Sequence, residues 1–280
     1  MRITSMIISL LIIILIITAV IIRIKVLSNQ NSKEIADLFS ISGDISNRIF
    51  NCKQLDGLPE PVQRYFKHVL KDGQPYLSYV RLIHDGQFKT GPKKNWINIK
   101  GEQYFTAEKP GFIWKGKTSL FTACDQYIAG KGRLTVSLFS LFRIVNSSGE
   151  KIDQGELLRW LGESVWFPTN LLPSENLHWS PIDSSSAKLT FNYNKISVSY
   201  NVSFNDKGEI LQIKTKRYFG ENDLQTWVGK FRNYKEINGV IIPTEIEATW
   251  KLKTGDYNYV RFNIKKIEYD KPEKFLKGEF

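Results

Sequence analysis

From Tyr79 onward, apolar residues recur at every second position in one run after another, which restricts the chain to a sheet with a dry face and a wet face. The cleanest run sets Val198, Tyr200, Val202 and Phe204 against Ser197, Ser199, Asn201 and Ser203. Leu189, Phe191 and Tyr193 repeat the alternation, as do Ile246, Ala248, Trp250 and Leu252, and then Val260, Phe262 and Ile264. Turn residues separate the runs at Asp85-Gly86, Asn205 to Gly208, Asn238-Gly239 and Thr254 to Asp256. The spacing predicts about eleven strands joined by short reversals, hence an antiparallel sheet.

Two segments break this period. Leu58 to Leu70 has Pro59 and Pro61 in its opening turn, an apolar face of Val62, Tyr65, Phe66 and Val69, and Asp72-Gly73 after it, which predicts a helix. Ile152 to Phe167 places Leu157, Leu158, Leu161 and Val165 at helical spacing before Pro168, which predicts a central helix over about 152–167. Eleven strands about 4.8 Å apart present an apolar face about 50 Å wide, whereas one helix covers about 10 Å. The expected fold is therefore mostly β: a curved antiparallel half-barrel enclosing the central helix, with room for an apolar ligand.

The chain opens on a different signal. Ile3 to Ile22 is interrupted only by Thr4, Ser5, Ser9 and Thr18 and carries no charge. About 20 such residues match a hydrocarbon core of about 30 Å. The run is longer than the apolar part of a signal peptide, and no small-x-small pair follows it before Arg23 and Lys25, so an uncleaved anchor is expected. Three regions follow: a transmembrane anchor at 1–26, a polar juxtamembrane spacer at 27–51 and a β domain at 52–280. Arg2 and the α-amine before the helix nearly balance Arg23, Lys25 and Lys33 after it. Taken literally, the positive-inside count slightly favours a cytoplasmic domain, but long domains can translocate regardless of flanking charge, and the single-pass domain is placed outside the cytoplasm.

A net charge of +11 raises the question of nucleic acid, but the basic residues are scattered, and a tethered domain meets anionic head groups first. No nucleic-acid partner is expected. Cys52 and Cys124 have no metal or redox spacing, and permit a disulfide without requiring one. His68, His84 and His178 lie far apart and read as surface or packing residues, so no metal site is expected. Gly111 to Thr118 (GFIWKGKT) matches a phosphate loop in spacing, yet Phe112, Ile113 and Trp114 fill the loop with strand formers. It reads as a strand, no nucleotide or other cofactor is expected, and no Gly-x-Ser-x-Gly elbow occurs.

The most informative polar group is Glu156, Arg159 and Glu163, which share one face of the central helix. On an outer surface they would form an ion-pair ladder. Inside a cavity they would orient a ligand head group, or hold one carboxyl as a general acid. Trp160, Trp166 and Phe167 near the helix, with Tyr104 and Trp114 on earlier strands, complete the expected ligand-binding set. Gly155 and Gly162 lie one heptad apart and allow a close approach of helix to sheet, which favours a plugged barrel over an open pocket.

Five segments resemble a family of prokaryotic proteins of unknown function that often carry an N-terminal membrane segment: LPEPVQRYF (58–66), QYFTAEKPGFIW (103–114), DQGELLRWLGESVWFPTNLLP (153–173), IPTEIEATW (242–250) and GDYNYVRFNIKKIEYD (255–270). Gly162 stands where the resemblance leads one to expect alanine. The resemblance implies no activity and no catalytic residue. In element order the chain also looks like the lipoprotein-carrier (LolA-like) half-barrels, which implies acyl chains held against a concave sheet. The expectation is a non-enzymatic, membrane-tethered binding or carrier module for a lipid or other apolar ligand. The alternatives are an envelope enzyme using Glu156 or Glu163 on a lipid-like substrate, and a structural module with an envelope protein partner.

Overall fold

The computed structural model describes residues 2–220, 223–276, 278 and 279. Met1 of the expected anchor, and Glu221, Asn222, Lys277 and Phe280 of the expected β domain, lie outside the described residues. Helix α1 runs from Arg2 to Ser40, and α2 from Glu60 to Val69. Six strands follow: β1 (Tyr79–Phe88), β2 (Ile97–Thr106), β3 (Gly111–Lys117), β4 (Phe121–Ile128), β5 (Lys131–Leu138) and β6 (Phe142–Ser148). Helix α3 (Glu150–Glu163) leads through two 3-10 turns, Ser164–Trp166 and Pro168–Leu171, into seven more: β7 (Leu177–Asp183), β8 (Ser186–Tyr193), β9 (Ile196–Phe204), β10 (Ile210–Tyr218), β11 (Leu224–Ile237), β12 (Val240–Leu252) and β13 (Gly255–Tyr269).

All thirteen strands form one antiparallel sheet in the order β6-β5-β4-β3-β2-β1-β13-β12-β11-β10-β9-β8-β7. The count exceeds the expected eleven by one strand in each half. The two edges are the least legible: β6 is largely exposed, and β7 carries Pro181, which an edge strand tolerates. Asp85-Gly86 is a second correction. It lies inside β1 rather than at a reversal, and Gly86 (φ +149°) lets β13 approach where a Cβ would stand 2.0 Å from the Arg261 carbonyl oxygen.

The sheet curls, as the area argument requires. Seven strand spacings, about 34 Å along the sheet, separate β4 from β10. Both nevertheless touch α3, a cylinder about 10 Å across, so the two arms close on the helix. Asp153 fixes the helix entry: its Oδ1 accepts the Gly132 N–H at 2.7 Å, and a Cβ on Gly132 would lie 2.7 Å from the Ile152 carbonyl oxygen. Gly162 allows the close approach expected of it, because its Cβ would lie 2.8 Å from Ile213 and 3.0 Å from the Tyr200 hydroxyl. Trp160 joins the arms, donating from Nε1 to the Thr106 carbonyl at 2.9 Å and packing its ring 5.2 Å from Phe191.

The stretch expected as a spacer is helical through Ser40. Its polar composition conceals a stripe of Asn31, Ile35, Leu38 and Phe39 at helical spacing, buried on the convex face against Ile83, Tyr104, Ile113 and Phe275. Leu10 to Ile17, Ile21, Ile22, Ile24 and Val26 stand exposed on α1, and the helix is long and apolar enough to cross a membrane. Cys52 and Cys124 are unpaired thiols.

Candidate functional site

Strand register sets out the concave face in rows. His84, Gly101, Gly116, Ala123 and Val136 are partners across β1 to β5. The next row, Leu82, Gln103, Trp114, Asp125 and Leu134, puts an amide, an indole and a carboxyl side by side. The glycines lower the floor under bulky neighbours: a Cβ on Gly101 would meet His84 Nε2 at 2.0 Å, and one on Gly116 would meet the Trp114 ring at 2.5 Å. Trp114 Nε1 donates to His84 Nε2 at 2.8 Å, so that imidazole nitrogen is unprotonated. Burial drives the His84 pKa down to about 3.

Helix α3 lays its charged face over this row. Arg159 donates from Nη1 to Asp125 Oδ2 and from Nε to Glu163 Oε1 at 2.9 Å, while Gln103 Nε2 donates to Glu163 Oε2 at 2.6 Å. The guanidinium also stacks 4.8 Å from the Trp114 centroid and 5.2 Å from that of Phe112. From the other arm, Arg217 Nη2 donates to the Gly155 carbonyl at 2.9 Å, with its guanidinium 5.3 Å from the Trp227 centroid. Trp227 Nε1 donates to the Tyr259 hydroxyl at 3.0 Å.

Two cations and three carboxyls share this space. Burial raises Asp125 and Glu163 above the usual carboxylate range despite the attraction of Arg159. Burial lowers Arg159, but Glu163, Asp125 and Glu156 outweigh it and hold the guanidinium above its ordinary value. Burial, with the nearby Asp125 charge, pushes Glu156 up to about 8. Charge balance gives the same answer: two arginines neutralise Asp125 and Glu163, and the third carboxyl stays protonated at neutral pH. Glu156 Oε2 and Asp125 Oδ1 are buried without a hydrogen-bond partner, one from the helix and one from the sheet. The Asp125, Arg159 and Glu163 side chains keep 15–16% of their surface exposed, and Phe88, Ala123, Trp227 and Val260 are half-buried.

The protonated state of Glu156 has a measurable consequence. A carboxyl that ionises near pH 4.5 when unfolded and near 8 when folded makes the folded chain bind the extra proton between those values, so stability falls as pH rises. Buried neutral His84 acts in the opposite sense below its unfolded value of about 6.5. The stability advantage of Glu156→Gln over the native chain should grow by up to roughly 1.4 kcal/mol per pH unit between pH 6.5 and 8, measured by denaturant unfolding. A constant difference across that range contradicts the assignment.

Of the residues named from the sequence, Glu156, Arg159, Glu163 and Trp114 meet in this cluster. Trp160, Trp166 and Phe167 are core residues on the closed side, with both indole N–H groups bonded to backbone carbonyls. Tyr104 lies on the opposite, convex face, against Phe39 and Phe275, because the chain parity that puts Gln103 and Phe105 inward turns it outward. Arg159 bridges Glu163 and Asp125, not Glu163 and Glu156. Asp125, Gln103, His84, Arg217 and Tyr259 complete the site. Their signal was a polar residue in a core-facing position, as Asp125 is between Ala123 and Tyr127. Among the described residues no group of His, Cys, Asp and Glu is arranged to hold a metal ion.

No curated protein matches the sequence. Among solved structures, the chain is similar to a LolA-superfamily protein from Nitrosomonas europaea, with a TM-score of 0.43 and 10% identity over 79% of this chain and 96% of that one. It is also similar to a domain titled as an outer-membrane lipoprotein-sorting protein from Vibrio parahaemolyticus, with a TM-score of 0.42 and 10% identity over 80% and 95% of the two chains. The model of a family of unknown function, DUF6544, matches residues 48–262, most of the chain and all thirteen strands but the last residues of β13, and the protein belongs to that family.

Proposed function

We propose that this protein is a membrane-tethered module that binds a lipid or similar amphiphile in the open half of its curved sheet. The observation that carries the reading is the pair of buried, unpartnered oxygens, Glu156 Oε2 on a protonated carboxyl and Asp125 Oδ1 on a carboxylate, beside an apolar and aromatic wall. Buried oxygens without partners are costly, and a ligand that brings a donor to Asp125 and a hydrogen-bonding group to the Glu156 carboxyl gains accordingly. The polar end that fits carries hydroxyl or amine hydrogens, since Arg159 is already occupied by two carboxylates. The apolar end would lie along Phe88, Phe121, Ala123 and Val260. The anchor α1 keeps the domain beside its source of amphiphile.

Native mass spectrometry of the delipidated full chain in mild detergent, titrated with short-chain phosphatidylethanolamine, tests this. A saturable one-to-one adduct is expected at collision energies that strip loosely held lipid. Glu156→Leu, which removes an uncharged acid, should weaken it about tenfold, the equivalent of one hydrogen bond. No saturable adduct with the native chain would contradict the reading.

A second reading rests on the protonated state of Glu156, which would make it a general acid at neutral pH in an envelope enzyme acting on a lipid-like substrate. Glu163, held by both Arg159 and Gln103, would position rather than transfer a proton. Release of product from the titrated lipid, lost in Glu156→Gln, would favour this reading over simple binding.

A further inference from the structure

The sheet has two unlike ends. At the end nearest α2 the concave face is closed by α2, α3 and the 3-10 turns. At the other, which no helix covers, lie the reversals β1–β2, β3–β4, β5–β6, β10–β11 and β12–β13, and this end is called the opening. Four large apolar side chains stand exposed there: Leu120 at 57%, Phe139 at 59%, Phe142 at 64% and Ile144 at 62%. Phe139 and Ser140 hold positive φ values, 50° and 59°, in the tight β5–β6 turn that presents the Phe139 ring. A group of this kind on one edge of a molecule marks an interaction surface.

The course of α1 identifies the partner. On the convex face its residues descend in number toward that same end: Leu38 lies over Gly111, Asn31 and Glu34 share a cleft with Lys115 and Cys124, and Leu27 borders the same cleft with Thr122, Ser140 and Arg143. The helix thus leaves the sheet at the level of the β5–β6 turn. Arg23 is four residues beyond Leu27, about 6 Å of rise, and the uncharged apolar run begins at Ile22. The exposed hairpin tips and the start of the membrane-spanning run therefore lie at nearly one height. Exposed Lys93, Lys94, Lys117, Arg143 and Lys253 surround the opening, against Asp223 and Asp256, the latter paired with Lys251. That excess of positive charge suits anionic head groups.

We infer that the β3–β4 and β5–β6 hairpin tips are a second membrane contact: Leu120, Phe139 and Phe142 enter the interface of the bilayer that α1 spans, and the domain sits with its opening toward the lipid. The inference rests on α1 being a membrane anchor and stands independently of any ligand in the cleft. Aromatic and leucine side chains at this depth behave as interfacial anchors flanked by basic residues. A tethered domain held this way has its cleft facing the bilayer instead of turning freely above it.

The test uses the full chain in nanodiscs of phosphatidylethanolamine and phosphatidylglycerol, carrying Cys52→Ser and Cys124→Ala. An environment-sensitive fluorophore is placed in turn on Phe139→Cys, Leu120→Cys, Ile16→Cys and, at the closed end, Ser184→Cys. Blue-shifted emission quenched by brominated acyl chains is expected at positions 139, 120 and 16, with water-like emission at 184. A lipid signal at 16 with water-like emission at 139 and 120 overturns the hairpin contact alone, and water-like emission at 16 overturns the anchor reading with it. Hydrogen exchange on the unlabelled chain provides the second measurement. Peptides spanning 118–121 and 138–142 should exchange at least several-fold more slowly in nanodiscs than in amphipol, and equal rates contradict the inference.

Discussion

Replacing Arg159 by methionine is expected to lower the unfolding free energy by roughly 3–5 kcal/mol, as loss of one partner from a buried ion pair does. The guanidinium lies between Asp125 and Glu163 and faces protonated Glu156, so its removal leaves two carboxylates in an apolar enclosure with only Arg217 nearby. Packing alone does not account for that figure, since methionine keeps most of the stem volume against Phe112 and Trp114. A charge origin and a packing origin separate in the triple variant Arg159→Met, Asp125→Asn, Glu163→Gln. It should recover most of the loss, because both stranded carboxylates are gone and Glu156, freed of the neighbouring charges that raise it, can ionise against Arg217, whereas a packing defect would persist. Arg159→Lys should fall between, since one ammonium does not reproduce the fork that spans two carboxylates. Denaturant unfolding of the full chain in detergent, followed by circular dichroism, reads all three.

Trp160→Ala should cost about as much, roughly 3–5 kcal/mol, through the cavity left in the core. Trp160 is buried to 2% exposure and joins β2 to β8 across the helix, through its bond to the Thr106 carbonyl and its contact with Phe191. Trp160→Phe keeps one aromatic ring, and so fills part of the cavity, but removes the N–H that reaches the Thr106 carbonyl, so that its loss should be smaller than that of the alanine variant yet at least about 1–3 kcal/mol. The two values together measure how firmly the arms close on α3. A loss under about 1 kcal/mol for the alanine variant would mean that the helix is not the element around which the sheet is wrapped.

How much of this was legible in the sequence follows from which signals are local. The alternation of Val198 to Phe204 is a property of one strand, and it named both period and face. The need to curl followed from area, without any single contact. The site is a different matter, because Arg159 meets Asp125 only when β4 and α3 are brought together, and spacing along α3 by itself offers Arg159 only Glu156 and Glu163. Asp125 breaks the core-facing row Phe121, Ala123, Tyr127, so the position carried a warning that spacing along α3 did not. Tyr104 belongs to the convex face because strand parity outweighs its aromatic company, and the buried Phe105 beside it fixes that parity. The docked half of α1 was hidden for a related reason: Leu27 to Ser40 is polar in composition, and only the spacing of Ile35, Leu38 and Phe39 distinguishes a packed stripe from a spacer.

The central claim is that an amphiphile lies in the open half of the concave sheet, with its polar end at Glu156 and Asp125. Proteoliposomes containing the full chain and a phospholipid with a diazirine near the end of one acyl chain test it most directly, with the crosslinked residues located by peptide mass spectrometry. The account predicts adducts on the inward-facing residues Phe88, Phe121, Trp227 and Val260 in addition to those on α1. Adducts confined to α1 and the exposed hairpin tips, with none on the concave face, would contradict it.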